Sequence, residues 1–332
     1  MSRRVPLPEQ PVGVAWPTSD WPRGAPLAGF REPEAGDLGA TLALAVIWRG
    51  RLVHERYGPG YGPDSTLISW SVAKSILHAA VGILVRDGKL DPAARAGVPQ
   101  WQAPGDARAG ITLDQLLRMS SGLYWREDYV DAQRSDVIEM LFGEGKDDVA
   151  AFAAQFPLAH APDTTWCYSS GTSNLLSALA GRALGGGTPA IQEFLRRELF
   201  ARIGMASASA RVDAAGTWIG SSFVFATARD FARFGYLYLR DGIWNGERIL
   251  PEGWVDCARS VTPGSAGEYG AHWWIPPGGE GMLSANGYRG QYVFVAPARD
   301  VVVVRLGEST AEQQPRVREW IQALIARFPE TG

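Results

Sequence analysis

Two side chains able to work together lie three residues apart, Ser71 and Lys74, in the run Ser-Val-Ala-Lys. On a helix that spacing puts hydroxyl and amine on one face, within reach of each other. The run opens an apolar stretch that reads as a helix over residues 72–86, stopped by Asp87-Gly88. A helix N-terminus offers free N–H groups that favour developing negative charge. Serine is a weak nucleophile at neutral pH and needs a base, which a lysine supplies only when neutral. Moving a lysine from about 10.4 to about 7 costs roughly 4–5 kcal/mol, so this chemistry requires Lys74 to be desolvated. The bland alternative is a chance tetrapeptide on an ordinary helix.

Two further stretches could complete such a site. Tyr168-Ser169-Ser170-Gly171-Thr172 falls between the Pro162-Asp163 turn and a helical run. There a tyrosine can point into a cleft and share a proton with Lys74. Read plainly, Tyr168 packs and Ser170 or Thr172 caps the helix. In residues 284–291 (Ser-Ala-Asn-Gly-Tyr-Arg-Gly-Gln), Gly287 and Gly290 let the backbone approach a ligand and present an N–H to an oxyanion. They could equally form a bulge or a hairpin bend. In His272-Trp273-Trp274, the paired tryptophans read either as an apolar acyl wall or as ordinary sheet packing.

Other chemistries find little support. The four histidines, His54, His78, His160 and His272, form no ligand pair, and two cysteines make neither a metal framework nor a disulfide scaffold. No phosphate-cradling glycine loop with lysine occurs, so no metal and no cofactor are expected. A Gly-x-Ser-x-Gly elbow is also missing. The 32 basic residues meet 35 acidic ones, which argues against nucleic acid as a partner. No apolar run is long enough to span a membrane, and prolines at 6, 8, 11 and 17 interrupt any leader-like stretch. A cytoplasmic enzyme acting on a small molecule is the expectation.

The elements that must position these residues follow from periodicity. With 332 residues and 46% apolar composition, the chain can bury a large core and is expected to form two lobes. Strands are expected at 41–48 and 52–57 as a hairpin, at 270–275, and at 291–295 and 301–306 as a second hairpin. Helices are expected at 72–86, 147–155, 172–184, 189–203, 227–240 and 315–328, with capping-box spacing from Thr112 to Gln115. Strands near both ends with helices between imply an α+β fold, an antiparallel sheet built from both termini and flanked by helices. Residues 1–88 and 243–332 would form that split lobe, with 89–242 as an inserted, mostly helical lobe.

Taken in order, these boxes resemble the serine β-lactamase and penicillin-binding-protein superfamily, in its class C and esterase-like branch. The likeness is carried by residues 69–75 (Ser-Trp-Ser-Val-Ala-Lys-Ser), 116–123 (Leu-Leu-Arg-Met-Ser-Ser-Gly-Leu), 226–235 (Ala-Thr-Ala-Arg-Asp-Phe-Ala-Arg-Phe-Gly) and 287–294 (Gly-Tyr-Arg-Gly-Gln-Tyr-Val-Phe). It runs from about residue 41 to the C-terminus. Within that superfamily the chain is most similar to the 6-aminohexanoate-dimer hydrolases, on residues 127–131 (Glu-Asp-Tyr-Val-Asp) and the Gly-x-x-Gly-Gln at 287–291. The resemblance implies the β-lactamase/transpeptidase-like fold. It makes Ser71 the nucleophile, Lys74 and Tyr168 its proton-handling pair, and the N–H groups of Ser71 and Tyr288 the oxyanion hole. Tyr129, Ser170, Asn286, Gly287, Trp273 and Trp274 would contact substrate, and Arg289 could replace a missing cation.

Departures from the pattern sharpen the expectation. The third box reads Ala285-Asn286-Gly287 where β-lactamases carry a cationic residue first, which weakens a β-lactamase reading. Ser170 stands where they carry asparagine. Asp131 and Asp136 are candidates for an amide-selective acid. The expected activity is hydrolysis of carboxylic esters or small linear amides through a Ser71 acyl-enzyme. A D-aminopeptidase or transpeptidase, a weak β-lactamase, and a catalytically silent binding relative remain the alternatives.

Overall fold

The computed structural model describes residues 5–30, 35–129, 135–279 and 281–331. Its centre is an antiparallel sheet of five strands: β1 (Ala40–Trp48), β2 (Arg51–Tyr57), β3 (Leu283–Gly287), β4 (Gln291–Ala296) and β5 (Val301–Glu308). The spatial order is β2-β1-β5-β4-β3, so the first and last parts of the chain meet where β1 pairs with β5, Val46 opposite Val303. The side-chain period of two divides the sheet into two cores. Ala43, Ala45, Ile47, Val293, Val295, Val302 and Val304 face one. Leu44, Val46, Phe294, Val301 and Val303 face the other, with Val317, Ile321, Leu324 and Ile325 of the C-terminal helix Gln314–Ala326 packed on them. Coverage of both faces explains why β1 and β5 are nearly continuous apolar runs.

Two helices lie against the first face. Helix α1 (Val72–Arg86) is buried from Val72 to Leu84, all round rather than along one stripe, as a helix at the centre of a core must be. Helix Ala228–Leu239 is capped by Thr227, whose hydroxyl accepts from the Asp230 N–H. Its Gly235 meets the sheet closely: a Cβ there would stand 2.7 Å from Val302 and 2.8 Å from Val293. The sequence division counted this helix with the middle lobe, yet it packs on the sheet, and one apolar cluster runs through sheet and helices together.

The expected capping box forms, with Thr112 and Gln115 each satisfying the other's backbone N–H. Helix Ser170–Ala183 follows Ser169, which accepts from the Thr172 N–H, so the cap is Ser169 and neither Ser170 nor Thr172. The helix expected over 189–203 is Thr188–Phe194 continued by a π-helical turn, Leu195–Phe200. The strand expected at 270–275 does not form. Tyr269 and Trp274 bridge each other, Trp274 bridges Ser284, and His272 between them turns to a φ of 54°. That turn sends the His272 N–H to the Leu117 carbonyl, which a straight strand could not do. In its place β3, with its small and polar Ser284, Ala285, Asn286 and Gly287, supplies the edge strand that low β-propensity concealed. Among the described residues no helix is long and apolar enough to cross a membrane.

Candidate active site

Ser71 sits at the N-cap of α1, immediately after Trp70, whose φ of 44° is left-handed. A bulky residue there is strained and persists only where its surroundings hold it. Ser69 supplies the restraint. Its N–H donates to the Val224 carbonyl, its hydroxyl to the Ser222 carbonyl at 3.1 Å, and the Val224 N–H donates back to the same hydroxyl at 3.0 Å. The chain is pinned on one side of Ser71 and helical on the other, so the hydroxyl is presented at a sharp corner.

One turn into α1, Lys74 is 1% exposed, in a helix whose buried residues are mostly apolar. Its Nζ donates to Ser71 Oγ at 3.0 Å, Ser170 Oγ at 2.9 Å and the Ser221 carbonyl at 3.0 Å. Burial lowers its pKa to about 8, against an opposing pull from Glu127. The ring of Tyr168 lies under the ammonium, 4.9 Å from Nζ to the centroid. Burial, then Glu127, raises the Tyr168 pKa well above that of a free phenol, while a hydrogen bond with Ser71 pulls it down. Tyr168, remote in sequence, therefore meets Ser71 and Lys74 at one point. Tyr168 enters as a neutral phenol.

Glu127 joins this cluster without having been singled out by sequence. Its Oε1 accepts from Ser170 Oγ at 2.5 Å and Tyr129 OH at 2.6 Å, its Oε2 from the Ser170 N–H at 2.8 Å and Trp125 Nε1 at 2.5 Å. Four donors converge on its two oxygens. The available signal was its place in the Glu-Asp-Tyr run, between two aromatic residues that both bond to it.

Across the cleft, β3 ends at Gly287 and the hairpin turns through Tyr288, Arg289 (φ 59°) and Gly290 (φ 85°). Tyr288 packs edge-on to Trp70, with ring centroids 5.6 Å apart, and stacks with Tyr129 at 5.1 Å. Among the described residues neither the Ser71 N–H nor the Tyr288 N–H donates to a backbone acceptor. Ser71 and Tyr288 both line the same cleft.

The cleft in front of Ser71 encloses about 1210 Å³ and is lined by Tyr129, Tyr168, Trp274, Asn286, Gly287, Tyr288 and Arg289, among others. Among the described residues Asn286 Oδ1 is buried and has no partner. Trp273 does not reach the cleft. It is fully buried, stacked on Phe234 at 5.8 Å and against Tyr238 at 4.5 Å. Arg289 lines the cleft and is ion-paired there with Glu308 at 2.9 Å, both side chains about half exposed. Asp136 is buried in a pair with Arg126, away from the cleft, and Asp131 lies outside the described residues. No group of metal-ligating side chains occurs among the described residues.

Comparison with known proteins gives this geometry a family. A curated relative, the 6-aminohexanoate-dimer hydrolase of Paenarthrobacter ureafaciens, is 28% identical over 302 residues, 84% of this chain and 75% of that one. Among solved structures, a candidate 6-aminohexanoate-dimer hydrolase from Bacillus anthracis superposes with a TM-score of 0.78 at 21% identity, covering 98% of this chain and 91% of the other. A hydrolase described as having promiscuous acyltransferase activity superposes at 0.69 and 16% identity, over 88% and 95% of the two chains. These likenesses place the chain in the α+β, β-lactamase/transpeptidase-like fold. The family model described as Beta-lactamase matches residues 34–328, nearly the whole length over which fold and site have been described. The chain belongs to the beta-lactamase family, a family of hydrolases.

Proposed function

We propose that this protein is a serine hydrolase that cleaves carboxylic esters or small linear amides through an acyl-enzyme on Ser71. The observation that carries the reading is the 3.0 Å contact between Ser71 Oγ and the buried Lys74 Nζ, whose pKa of about 8 allows a neutral fraction near physiological pH. Ser71 Oγ attacks the carbonyl carbon and its proton passes to Lys74 Nζ. The oxyanion rests on the N–H groups of Ser71 and Tyr288. The Tyr168 phenol, held protonated by its raised pKa, is suited to give a proton to the departing alkoxide or amine and to recover one from the Lys74 ammonium, which returns to the neutral amine. Lys74 rather than Tyr168 is then the resting base. Water repeats the sequence on the acyl-enzyme and releases the acid.

The relative from Paenarthrobacter ureafaciens, by its name a hydrolase of a linear amide, supports the small-amide side of this reading. Ala285, fully buried in the apolar core where β-lactamases present a cation to the substrate, favours ester or linear amide over β-lactam. The test is hydrolysis of p-nitrophenyl butyrate, a linear amide panel, D-alanyl peptides and nitrocefin, with Ser71→Ala as blank. Ester or amide turnover lost in that variant, with slower nitrocefin cleavage, is the expected result. Turnover retained in Ser71→Ala overturns the assignment, and preferential release of D-alanine turns it into a D-aminopeptidase.

A further inference from the structure

Lys74 Nζ has three hydrogen-bond neighbours, and which of them can donate decides where its lone pair points. The Ser221 carbonyl can only accept. Ser170 Oγ has one proton and two neighbours, Lys74 Nζ at 2.9 Å and Glu127 Oε1 at 2.5 Å. A carboxylate only accepts, so that proton is committed to Glu127 and the oxygen's lone pair faces the lysine. A neutral lysine has two N–H bonds. Both are taken, one by Ser221 and one by Ser170. The remaining tetrahedral direction is toward Ser71 Oγ, 3.0 Å away.

We propose that Glu127 is a positioning residue of this site: acting through the Ser170 hydroxyl, it aims the lone pair of neutral Lys74 at the nucleophile's proton. The inference rests on Ser71 being the nucleophile, and adds a polarity to the contacts that the proposed function leaves open. The other titratable groups facing Lys74 do not supply it. Tyr168 presents its ring face, and His272 is held by the Leu117 carbonyl at 2.6 Å and Ser173 Oγ at 3.0 Å. Tyr129 donates to Glu127 itself.

Glu127→Gln tests this with almost no change of shape. Two obligatory donors, the Ser170 N–H and Trp125 Nε1, face the Oε2 position and fix the carboxamide oxygen there. The new NH2 group then takes the Oε1 position and donates to Ser170 Oγ. Ser170 must turn its proton toward Lys74 and compete with Ser71 for the lone pair. The contacts survive and the polarity reverses.

The experiment follows p-nitrophenyl butyrate hydrolysis by the full chain across pH, for wild type, Glu127→Gln, Ser170→Ala and the double variant. In Glu127→Gln the alkaline plateau of kcat is expected to fall at least about tenfold with KM nearly unchanged. The acid limb should move to lower pH, because the carboxylate that favoured the lysine's charge is gone. Ser170→Ala, a deletion of one oxygen, should also lower the plateau, and the double variant should lose no more than Ser170→Ala alone. A Glu127→Gln plateau within twofold of wild type overturns the inference, as do losses that multiply in the double variant. Should Glu127→Gln fail to fold, an undiminished kcat in Ser170→Ala overturns it instead. Labelling of wild type by a fluorophosphonate, mapped to the Ser71 peptide, separates the two levels. No label on Ser71 sinks the proposed function, whereas normal labelling with unaffected variants sinks this inference alone.

Discussion

Gly287 lies so close to the backbone before Ser71 that a Cβ built on it would stand 2.4 Å from the Ser69 carbonyl oxygen and 2.9 Å from the Gln291 Cβ. The first neighbour is backbone in a segment already pinned by three hydrogen bonds, so it cannot retreat cheaply. The missing side chain is what lets the end of β3 stand against the Ser69 backbone, with Gly287 and Tyr288 lining the cleft.

Gly287→Ala is accordingly expected to push the strand end away from Ser71. We expect a stability loss of about 1–3 kcal/mol from overpacking, with a larger proportional loss in kcat than in thermal stability. Paired melting and ester kinetics check this. Wild-type kcat in the variant would remove Tyr288 from the oxyanion site.

The rate should carry the titration of Lys74. With its pKa lowered to about 8 by burial, the fraction of neutral base rises with pH up to and through that value. The logarithm of kcat/KM for a neutral ester should climb with unit slope below about pH 8 and level above it. A profile flat from pH 6 to 9 would show that no group of this pKa governs the step.

Two buried histidines should make the fold sensitive to acid. Burial lowers the pKa of His272 to about 4 and that of His78 well below the ordinary value. Between pH 6.5 and the folded values, the unfolded chain binds protons that the native one refuses, so stability falls as pH falls through this window. Urea unfolding at pH 7.5 and 5 measures the drop, which His272→Asn should reduce. An equal drop in the variant would assign the acid sensitivity elsewhere.

Adjacent tryptophans should respond differently to truncation. Trp273→Ala removes a ring packed between Phe234 and Tyr238 and is expected to cost about 3–5 kcal/mol of stability. Trp274→Ala removes a cleft wall in contact with Tyr168 at 5.2 Å, and should raise KM with little loss of stability. Melting curves and KM values that exchange these roles would contradict the placement of the two rings.

Much of this was legible in one dimension because its causes are local. Ser71 and Lys74 are neighbours by helix geometry alone, and α1 runs from Val72 to Arg86 as its apolar run and the Asp87-Gly88 stop dictate. The end hairpins announce themselves through apolar strands and turn residues. The strand expected at 270–275 failed because a positive φ at His272 serves a bond to Leu117, 155 residues away. Glu127 carried only a faint local mark, its place between Trp125 and Tyr129, and it becomes part of the site by meeting Ser170, 43 residues further along.

By itself, then, the sequence determined the kind of chemistry: a hydroxyl and an amine on one helix face, a phenol before a second helix, and the family likeness of their order. Tertiary structure alone decided how polarised that chemistry is. Burial that brings the Lys74 pKa down, the carboxylate that bonds to Ser170, and the side to which each tryptophan falls all depend on distance and desolvation between remote segments. Those are properties of space, and residue order does not contain them.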